Sequence, residues 1–403
     1  MDNKKMYIIM VGLPARGKST IANRLKEYLV KDHIKTRIFN NGDLRRKLFR
    51  EDTSRAEFYD PENREAAALR EKIALMNIQR ANNYISRQGQ VAILDATNVS
   101  RKRREKITSS LNSYPLLFIE CLNNDEEILE ASILRKVSLP EFSHLKRQDA
   151  IHIFKQRIVY YASIYSPLKK ELNYVRLDSL NNQILKEEIT GEIPYYGQIR
   201  DFLVTDTVKN LFLIRHGETF FNLENRIGGD SPLTEKGSAQ ARALARYFKT
   251  RNIPYVFTSK MKRTIQTAEP IRRLQERCTI IQLEEFNEID SGVCECMSYE
   301  EIRKKMQYVY LKRKKNKYNY IYPSGEGYVS MKKRIDGGIK KALYLSGNSQ
   351  NIVIVGHRAA NRMILSHFLY RRTEDVPYIY IPQDKFYHIV ATQDKKLFQL
   401  KKY

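Results

Sequence analysis

"YIIMVGLPARGKST", residues 7–20, is the stretch that decides the fold of the first half of this chain. An apolar run leads into Gly12-Leu13-Pro14-Ala15-Arg16-Gly17-Lys18-Ser19, which fits G-x-x-x-x-G-K-[ST], with Thr20 next. Glycines in such a loop let backbone N–H groups approach phosphate oxygens. The N-terminus of the following helix adds partial positive charge. Lys18 is placed to reach the outer phosphates and Ser19 to hold Mg²⁺. Gly12, Arg16, Gly17 and Thr20 complete the nucleotide cradle.

Working outward, "TRIF" (36–39), "VAIL" (91–94), "LLFIE" (116–120) and "YVRL" (174–177) read as buried strands. Helical periodicity fills the intervals, notably Lys18–Leu29 and Arg64–Gln88, with Gly89 placed as the residue after the helix. The alternation predicts βαβ units, hence a parallel sheet with helices on both faces. "VAILDATN" (91–98) ends its strand at Asp95, where a P-loop enzyme needs a carboxylate near the metal. A helix cap or Asx turn would also put an Asp there. Thr97 and the run Arg101-Lys102-Arg103-Arg104 follow, beyond the carboxyl end of the same strand, where open α/β sheets bind ligands. A phosphorylated acceptor is the simplest reason for a basic run in that place.

From Thr190 to Lys209 the periodicity lapses, and a linker without a clear helix is expected there, dividing domains at 1–205 and 206–403. The alternation then restarts with "LFLI" (211–214), a helix over 235–250, "YVFTS" (255–259), a helix over 262–276, "NIVIV" (351–355) and a helix over 358–370. This predicts a second α/β domain. Arg215-His216-Gly217 follows one of these strands and Gly356-His357-Arg358 another. In one parallel sheet both histidines would emerge at the same edge. A neutral imidazole there can attack phosphorus, while arginines, Arg263 of "SKMKRTIQTA" (259–268) included, and the second histidine neutralise its oxygens. Glu288 in "FNEIDSG" is the candidate proton donor to the leaving oxygen.

Composition adds bounds. The 403 residues carry 71 Lys+Arg against 46 Asp+Glu, a net charge of +25, which suits nucleic acid, an anionic surface or small polyanionic substrates. No apolar run approaches the ~18 residues that span a bilayer, and no secretory h-region follows Met1, so no membrane association is expected. Cys121, Cys278, Cys294 and Cys296 form no zinc-like or disulfide spacing, which points to a reducing, cytoplasmic setting.

With these residues in view, the chain resembles the bifunctional 6-phosphofructo-2-kinase/fructose-2,6-bisphosphatase family, from about Met6 to about Leu400. "GLPARGK", "DATN", "RIGGDS", "MKRTIQTAE", "NEID", "YEEI" and "YPSGEGY" carry the resemblance. It implies a P-loop kinase domain followed by a histidine-phosphatase, phosphoglycerate-mutase-like α/β domain. It implies synthesis of fructose 2,6-bisphosphate from fructose 6-phosphate and ATP, hydrolysis of its 2-phosphate, control of glycolysis and gluconeogenesis, and a homodimer. By the resemblance, Lys18 and Ser19 match the ATP and magnesium positions and Asp95 the catalytic aspartate. Arg46, Arg70, Thr97, Arg103, Lys136, Arg157 and Tyr161 match fructose 6-phosphate contacts. His216 matches the phosphorylated nucleophile, Glu288 the proton donor and His357 the second histidine. Arg215, Asn222, Gly228, Arg263, Tyr299, Arg313, Lys317, Tyr328 and Arg362 match bisphosphate contacts. Asn123 stands near where the family usually has a cysteine, and Arg358 where it usually has glutamine. Arg358 could tighten phosphate binding, slow product release, or point away. The chain starts five residues before its first strand and ends at Tyr403, so regulatory tails like those of vertebrate members are not expected.

A rival keeps both chemistries but acts on nucleic-acid ends, motivated by the +25 charge. Against it, the basic residues match sugar-phosphate positions, and no nucleic-acid module or basic-aromatic platform is recognisable. A non-enzymatic descendant would have lost catalytic groups, and every expected group is present.

Overall fold

The computed structural model describes residues 4–49, 53, 55–369 and 372–403. The chain forms two compact units, Met1–Thr205 and Asp206–Tyr403.

Strands β1 (Met6–Val11), β2 (Thr36–Asn40), β3 (Val91–Asp95), β4 (Leu116–Leu122), β5 (Tyr174–Asp178) and β6 (Gln183–Glu188) build the first sheet in the order β2-β3-β1-β4-β5-β6. All side chains of β1 and β3 are buried, which only a strand covered on both faces requires. The period of two sorts them. Met6, Ile8 and Met10 pack with Leu25 and Leu29 of the helix Lys18–Lys31, whereas Tyr7, Ile9 and Val11 pack with Ile78, Ala81 and Ile85 of the helix Arg64–Arg87. Burying each such side chain contributes ~1.5–3 kcal/mol. The sheet is not wholly parallel, because β6 runs antiparallel to β5 at the edge. Strand β1 lies between β3 and β4, so its carboxyl end opens onto the crevice where the chain's crossovers diverge.

The segment expected to be a helix-free linker contains the helix Tyr196–Val204. Its Ile199, Phe202 and Leu203 are buried in the cluster that holds Leu25 and Leu29, and Phe202 stacks on Tyr28 at 5.6 Å. Nine residues with three apolar anchors at i, i+3 and i+4 give too short a periodic signal to stand out beside Pro194 and Gly197.

The second unit repeats the layered plan with β7 (Val208–Arg215), β8 (Tyr255–Thr258), β9 (Thr279–Gln282), β10 (Asn351–Gly356), β11 (Lys385–Ala391) and β12 (Lys396–Lys402), ordered β12-β11-β7-β10-β8-β9. The last four in that order are parallel; β11 and β12 are antiparallel additions at the other edge. Phe212, Ile214, Val353 and Val355 pack with Leu244 and Phe248 of the helix Glu235–Phe248 and with Ala268 and Ile271 of the helix Lys262–Arg273. The helix after β10 runs Arg358–Phe368, and residue 370, its expected end, lies outside the described residues. His367 anchors that helix, with Nδ1 3.0 Å from Asp336 and Nε2 3.0 Å from Asp206.

Candidate active sites

The loop after β1 curls beside a cavity of about 160 Å³ lined by residues 14–20, Asn40, Arg46, Asp95, Thr97, Lys136, Glu141 and Arg157, among others. Gly12 shapes the loop without lining the cavity: it sits at φ 136°, and a Cβ there would meet the Cys121 carbonyl oxygen at 2.5 Å. Gly17 precedes the helix in the left-handed region at φ 82°. Arg16, Ser19 and Thr20 line the cavity with Lys18. The Lys18 ammonium donates to the Leu13 carbonyl at 2.6 Å. Burial brings its pKa down to about 8, opposed by the charge of Asp95. Asp95 ends β3 and accepts from Asn40 Nδ2 at 2.5 Å. Burial raises its pKa, against hydrogen bonds from Ser19 and Asn40 and the charge of Lys18. The Ser19 hydroxyl and Asp95 carboxylate therefore meet as hard oxygen donors. Magnesium takes such donors together with phosphate oxygens and water, so the pair fits that ion.

A second cavity, of about 500 Å³, is lined by Arg70, Thr97, Arg103, Arg157 and Tyr161. Thr97 and Arg157 line both cavities, so an acceptor and a nucleotide phosphate would meet at these two side chains. The Arg157 guanidinium lies 4.0 Å from the centre of the Tyr59 ring. Arg70 donates to the carbonyls of Phe58 and, at 3.1 Å, Asp60.

The expected acceptor contacts divide between the two cavities. Arg46 and Lys136 line the nucleotide cavity and not the larger one. The preceding Arg45, which nothing in the sequence marked, lines the larger cavity; it is 4% exposed and paired with Glu141 at 2.5 Å. Burial brings its pKa down to about 10, with the charge of Arg157 adding and Glu141 opposing. Successive helical residues point about 100° apart, so helix phase alone decides which arginine of the pair turns inward. The basic run divides likewise. Lys102 and Arg103 line the cavity, Arg101 pairs with Glu105 at 2.7 Å, and Arg104 is buried against Glu171 at 2.6 Å as a structural ion pair.

In the second unit Gly356 of β10 lies opposite Arg215 of β7, so His216 and His357 leave the same sheet edge with ring centres 5.3 Å apart. Beside them a cavity of about 280 Å³ is lined by Arg215, His216, Asn222, Gly228, Arg263, Glu288, Tyr299, Arg313, Lys317, Tyr328, Arg358 and Arg362. His216 Nδ1 is 2.8 Å from the Gly217 carbonyl, which can only accept. Nδ1 therefore carries the proton and Nε2 keeps its lone pair. Burial holds the His216 pKa well below its usual value, and Arg263 and Arg215 push the same way, so the ring stays neutral. Arg215 is pulled down to about 9 by burial and by the charge of Arg358.

His357 shares that sheet edge but is not among the residues that line the cavity. It is fully buried behind the cavity: Arg263 Nε donates to its Nδ1 at 3.1 Å, and its Nε2 lies 2.8 Å from Ser259 Oγ. Both ring nitrogens are thus engaged, one of them by Arg263, which lines the cavity. Arg263 is further held by the Gly229 carbonyl at 2.5 Å. Glu288 accepts from the backbone N–H groups of Ile289, Ala359 and Ala360 at 3.0–3.1 Å, so the helix start that carries Arg358 also seats this carboxyl.

The other expected bisphosphate contacts line the same cavity. Arg362 donates to Tyr328 Oη at 3.1 Å and to the Ile379 carbonyl at 2.8 Å. Arg313 lies 5.4 Å from the Tyr299 ring centre. Lys317 donates to the Pro377 carbonyl at 3.0 Å, and burial with the charges of Arg362, Arg313 and Arg358 lowers its pKa to about 8. Gln383, which nothing in the sequence marked, ties Asn222 Oδ1 at 2.8 Å to the His216 carbonyl at 3.3 Å. Arg358 is exposed and lines the cavity, near enough for its charge to act on Arg215 and Lys317. Asn123 is buried where β4 ends and lines neither kinase cavity; its Oδ1 accepts from the Asp125 N–H at 2.9 Å.

Fold and sites together define a P-loop kinase joined to a histidine phosphatase. The family described as 6-phosphofructo-2-kinase matches residues 1–209, and the histidine phosphatase superfamily (branch 1) matches residues 211–402. The chain is 34% identical over 397 residues to 6-phosphofructo-2-kinase/fructose-2,6-bisphosphatase 3 of Homo sapiens, covering 95% of this chain and 74% of that one. It is 34% identical over 390 residues to 6-phosphofructo-2-kinase/fructose-2,6-bisphosphatase 1 of Rattus norvegicus, covering 94% and 80%. The solved α-ribazole phosphatase of Shigella flexneri matches 48% of this chain and 96% of its own at 23% identity and a TM-score of 0.44. This chain belongs to the 6-phosphofructo-2-kinase/fructose-2,6-bisphosphatase family.

Proposed function

We propose that this protein makes fructose 2,6-bisphosphate from fructose 6-phosphate and ATP, and hydrolyses its 2-phosphate through a phosphohistidine. The observation that carries it is the pairing, in one chain, of a P-loop cavity that adjoins a basic acceptor cavity with a separate cavity built around a neutral, buried histidine. In the kinase step the acceptor's 2-hydroxyl oxygen bonds to the γ-phosphorus as the bond from that phosphorus to the β,γ-bridging oxygen breaks; ADP leaves and the hydroxyl proton passes to water. Lys18 stabilises charge on the phosphates, while Thr97 and Arg157 hold the point where the two substrates meet. Ser19 and Asp95 would hold magnesium, which would supply further charge neutralisation beside the nucleotide's phosphates. Among the described residues no helix is long and apolar enough to cross a membrane. The family resemblance adds a cytoplasmic homodimer, which light scattering on purified protein checks.

Coupled assays with fructose 6-phosphate and ATP, and with fructose 2,6-bisphosphate alone, test the proposal directly. Arg103→Ala is expected to raise the KM for fructose 6-phosphate more than that for ATP. Tight, steeply salt-dependent oligonucleotide binding without turnover of fructose 6-phosphate would favour the nucleic-acid rival instead.

Arg358 adds a cation to a cavity already lined by Arg215, Arg263, Arg313, Lys317 and Arg362. Extra charge that holds product phosphate makes its release slow, so Arg358→Gln is expected to speed steady-state hydrolysis and to weaken inhibition by inorganic phosphate. A slower variant with unchanged phosphate inhibition would assign Arg358 to the chemical step.

A further inference from the structure

Among the described residues, the acceptor cavity is lined by six cationic side chains, Arg45, Arg70, Lys102, Arg103, Lys106 and Arg157, and by one carboxylate, Glu71. Glu71 projects from the helix Arg64–Arg87 to the helix Arg101–Ser110. There its Oε2 meets Arg103 Nη2 at 2.5 Å and its Oε1 meets Lys106 Nζ at 2.9 Å. The other substrate-facing arginines are held without an anion facing this cavity. Arg70 is bound by two backbone carbonyls and Arg157 lies against an aromatic ring, while Glu141, the partner of Arg45, lines the nucleotide side.

We propose that Glu71 is a positioning residue of the acceptor site, acting through Arg103 and Lys106 as a built-in competitor for the substrate's phosphate. The inference rests on the larger cavity being the fructose 6-phosphate site. A phosphomonoester carries about two negative charges near neutral pH, and its oxygens contend with Glu71 for the charge and N–H groups of Arg103 and Lys106. The carboxylate holds both cations at the cavity wall, which spares the substrate the cost of ordering two long side chains. Its charge also lowers the positive potential that the phosphate meets. A guanidinium has five N–H donors, so Arg103 can keep Glu71 on one edge and offer another to phosphate. The competition acts on substrate and transition state alike, because it lies at the phosphate that does not react. It therefore sets KM and leaves kcat in place.

The test uses the full chain, with fructose 6-phosphate varied at saturating ATP. Glu71→Gln keeps the shape and a hydrogen-bond acceptor but removes the charge. It is expected to lower the KM for fructose 6-phosphate about fivefold, the size of effect one nearby screened charge has. Its kcat is expected to stay within about twofold, with the KM for ATP unchanged. Glu71→Asp keeps the charge and is expected to restore the wild-type KM. Calorimetric titration of fructose 6-phosphate into each protein without ATP is expected to rank the Kd values the same way, and bisphosphatase activity of the same samples reports folding. An unchanged or raised KM in Glu71→Gln, with normal turnover by the wild type, overturns the competitor and leaves the kinase assignment standing. No turnover of fructose 6-phosphate by the wild type overturns the assignment itself.

Discussion

Lys18→Ala is expected to cut kinase turnover by ~10²–10³-fold while fructose 2,6-bisphosphate hydrolysis stays near the wild-type rate. Lys18 is the first residue of its helix and 7% exposed, and it is the cation of the loop that faces Asp95 across the nucleotide cavity. Its ammonium is fixed by a backbone carbonyl at 2.6 Å, so charge stabilisation there needs little reorganisation during the reaction. Removing it deletes a preorganised contact in a site sheltered from water, where such contacts count most. It also removes the cation that opposes the burial of Asp95. Lys18→Met, which keeps the stem volume, therefore belongs beside Lys18→Ala as a check on folding. The phosphatase side chains belong to the other compact unit, which has its own sheet and core. A parallel loss of hydrolysis in a folded Lys18 variant would sink the assignment of the two chemistries to separate sites.

How far the sequence reached depended on the kind of signal. Strand after strand was legible because central strands covered on both faces must be apolar throughout, and "YIIMV" and "NIVIV" are. The phosphate loop was legible because φ 82° at Gly17 and the close pass of Gly12 under Cys121 restrict those positions to glycine. Edge additions were not: β6 is mostly exposed, so no burial pattern distinguishes it from a loop. Helix phase was out of reach at the Arg45–Arg46 pair, where a rotation of one residue moves a guanidinium between cavities. His357 was found by its place after a strand, but its service to Arg263 depends on Ser259, nearly a hundred residues earlier in the chain. Long-range partners such as Gln383 and Glu71 carry no local motif at all, and only the fold brings them to the site.

Bisphosphatase turnover is expected to pass through a phosphoenzyme that His216→Ala cannot form. The Gly217 carbonyl takes the Nδ1 proton, and burial among arginines keeps the ring uncharged, so the Nε2 lone pair is available for attack. Nε2 bonds to the 2-phosphorus as the bond to the sugar oxygen breaks, and Arg215 and Arg263 take up the charge on the phosphoryl oxygens. His357 accepts a hydrogen bond from Arg263 and so holds it in place. Glu288, held in place by three backbone N–H groups, is the proposed donor of a proton to the departing sugar oxygen. It then recovers one from the water that cleaves the N–P bond, which releases phosphate and restores both groups. Two variants separate these roles. With substrate carrying ³²P in the 2-phosphate, His216→Ala is expected to acquire no acid-labile, alkali-stable label. Glu288→Gln keeps the nucleophile and loses the proton, so it is expected to label slowly, by ~10²–10⁴-fold, and to release its label slowly as well. Because the imidazole pKa lies well below its usual value, labelling of the wild type is not expected to fall through protonation of His216 between pH 7 and pH 6. Stoichiometric label on His216→Ala would move the nucleophile to another side chain and end this mechanism.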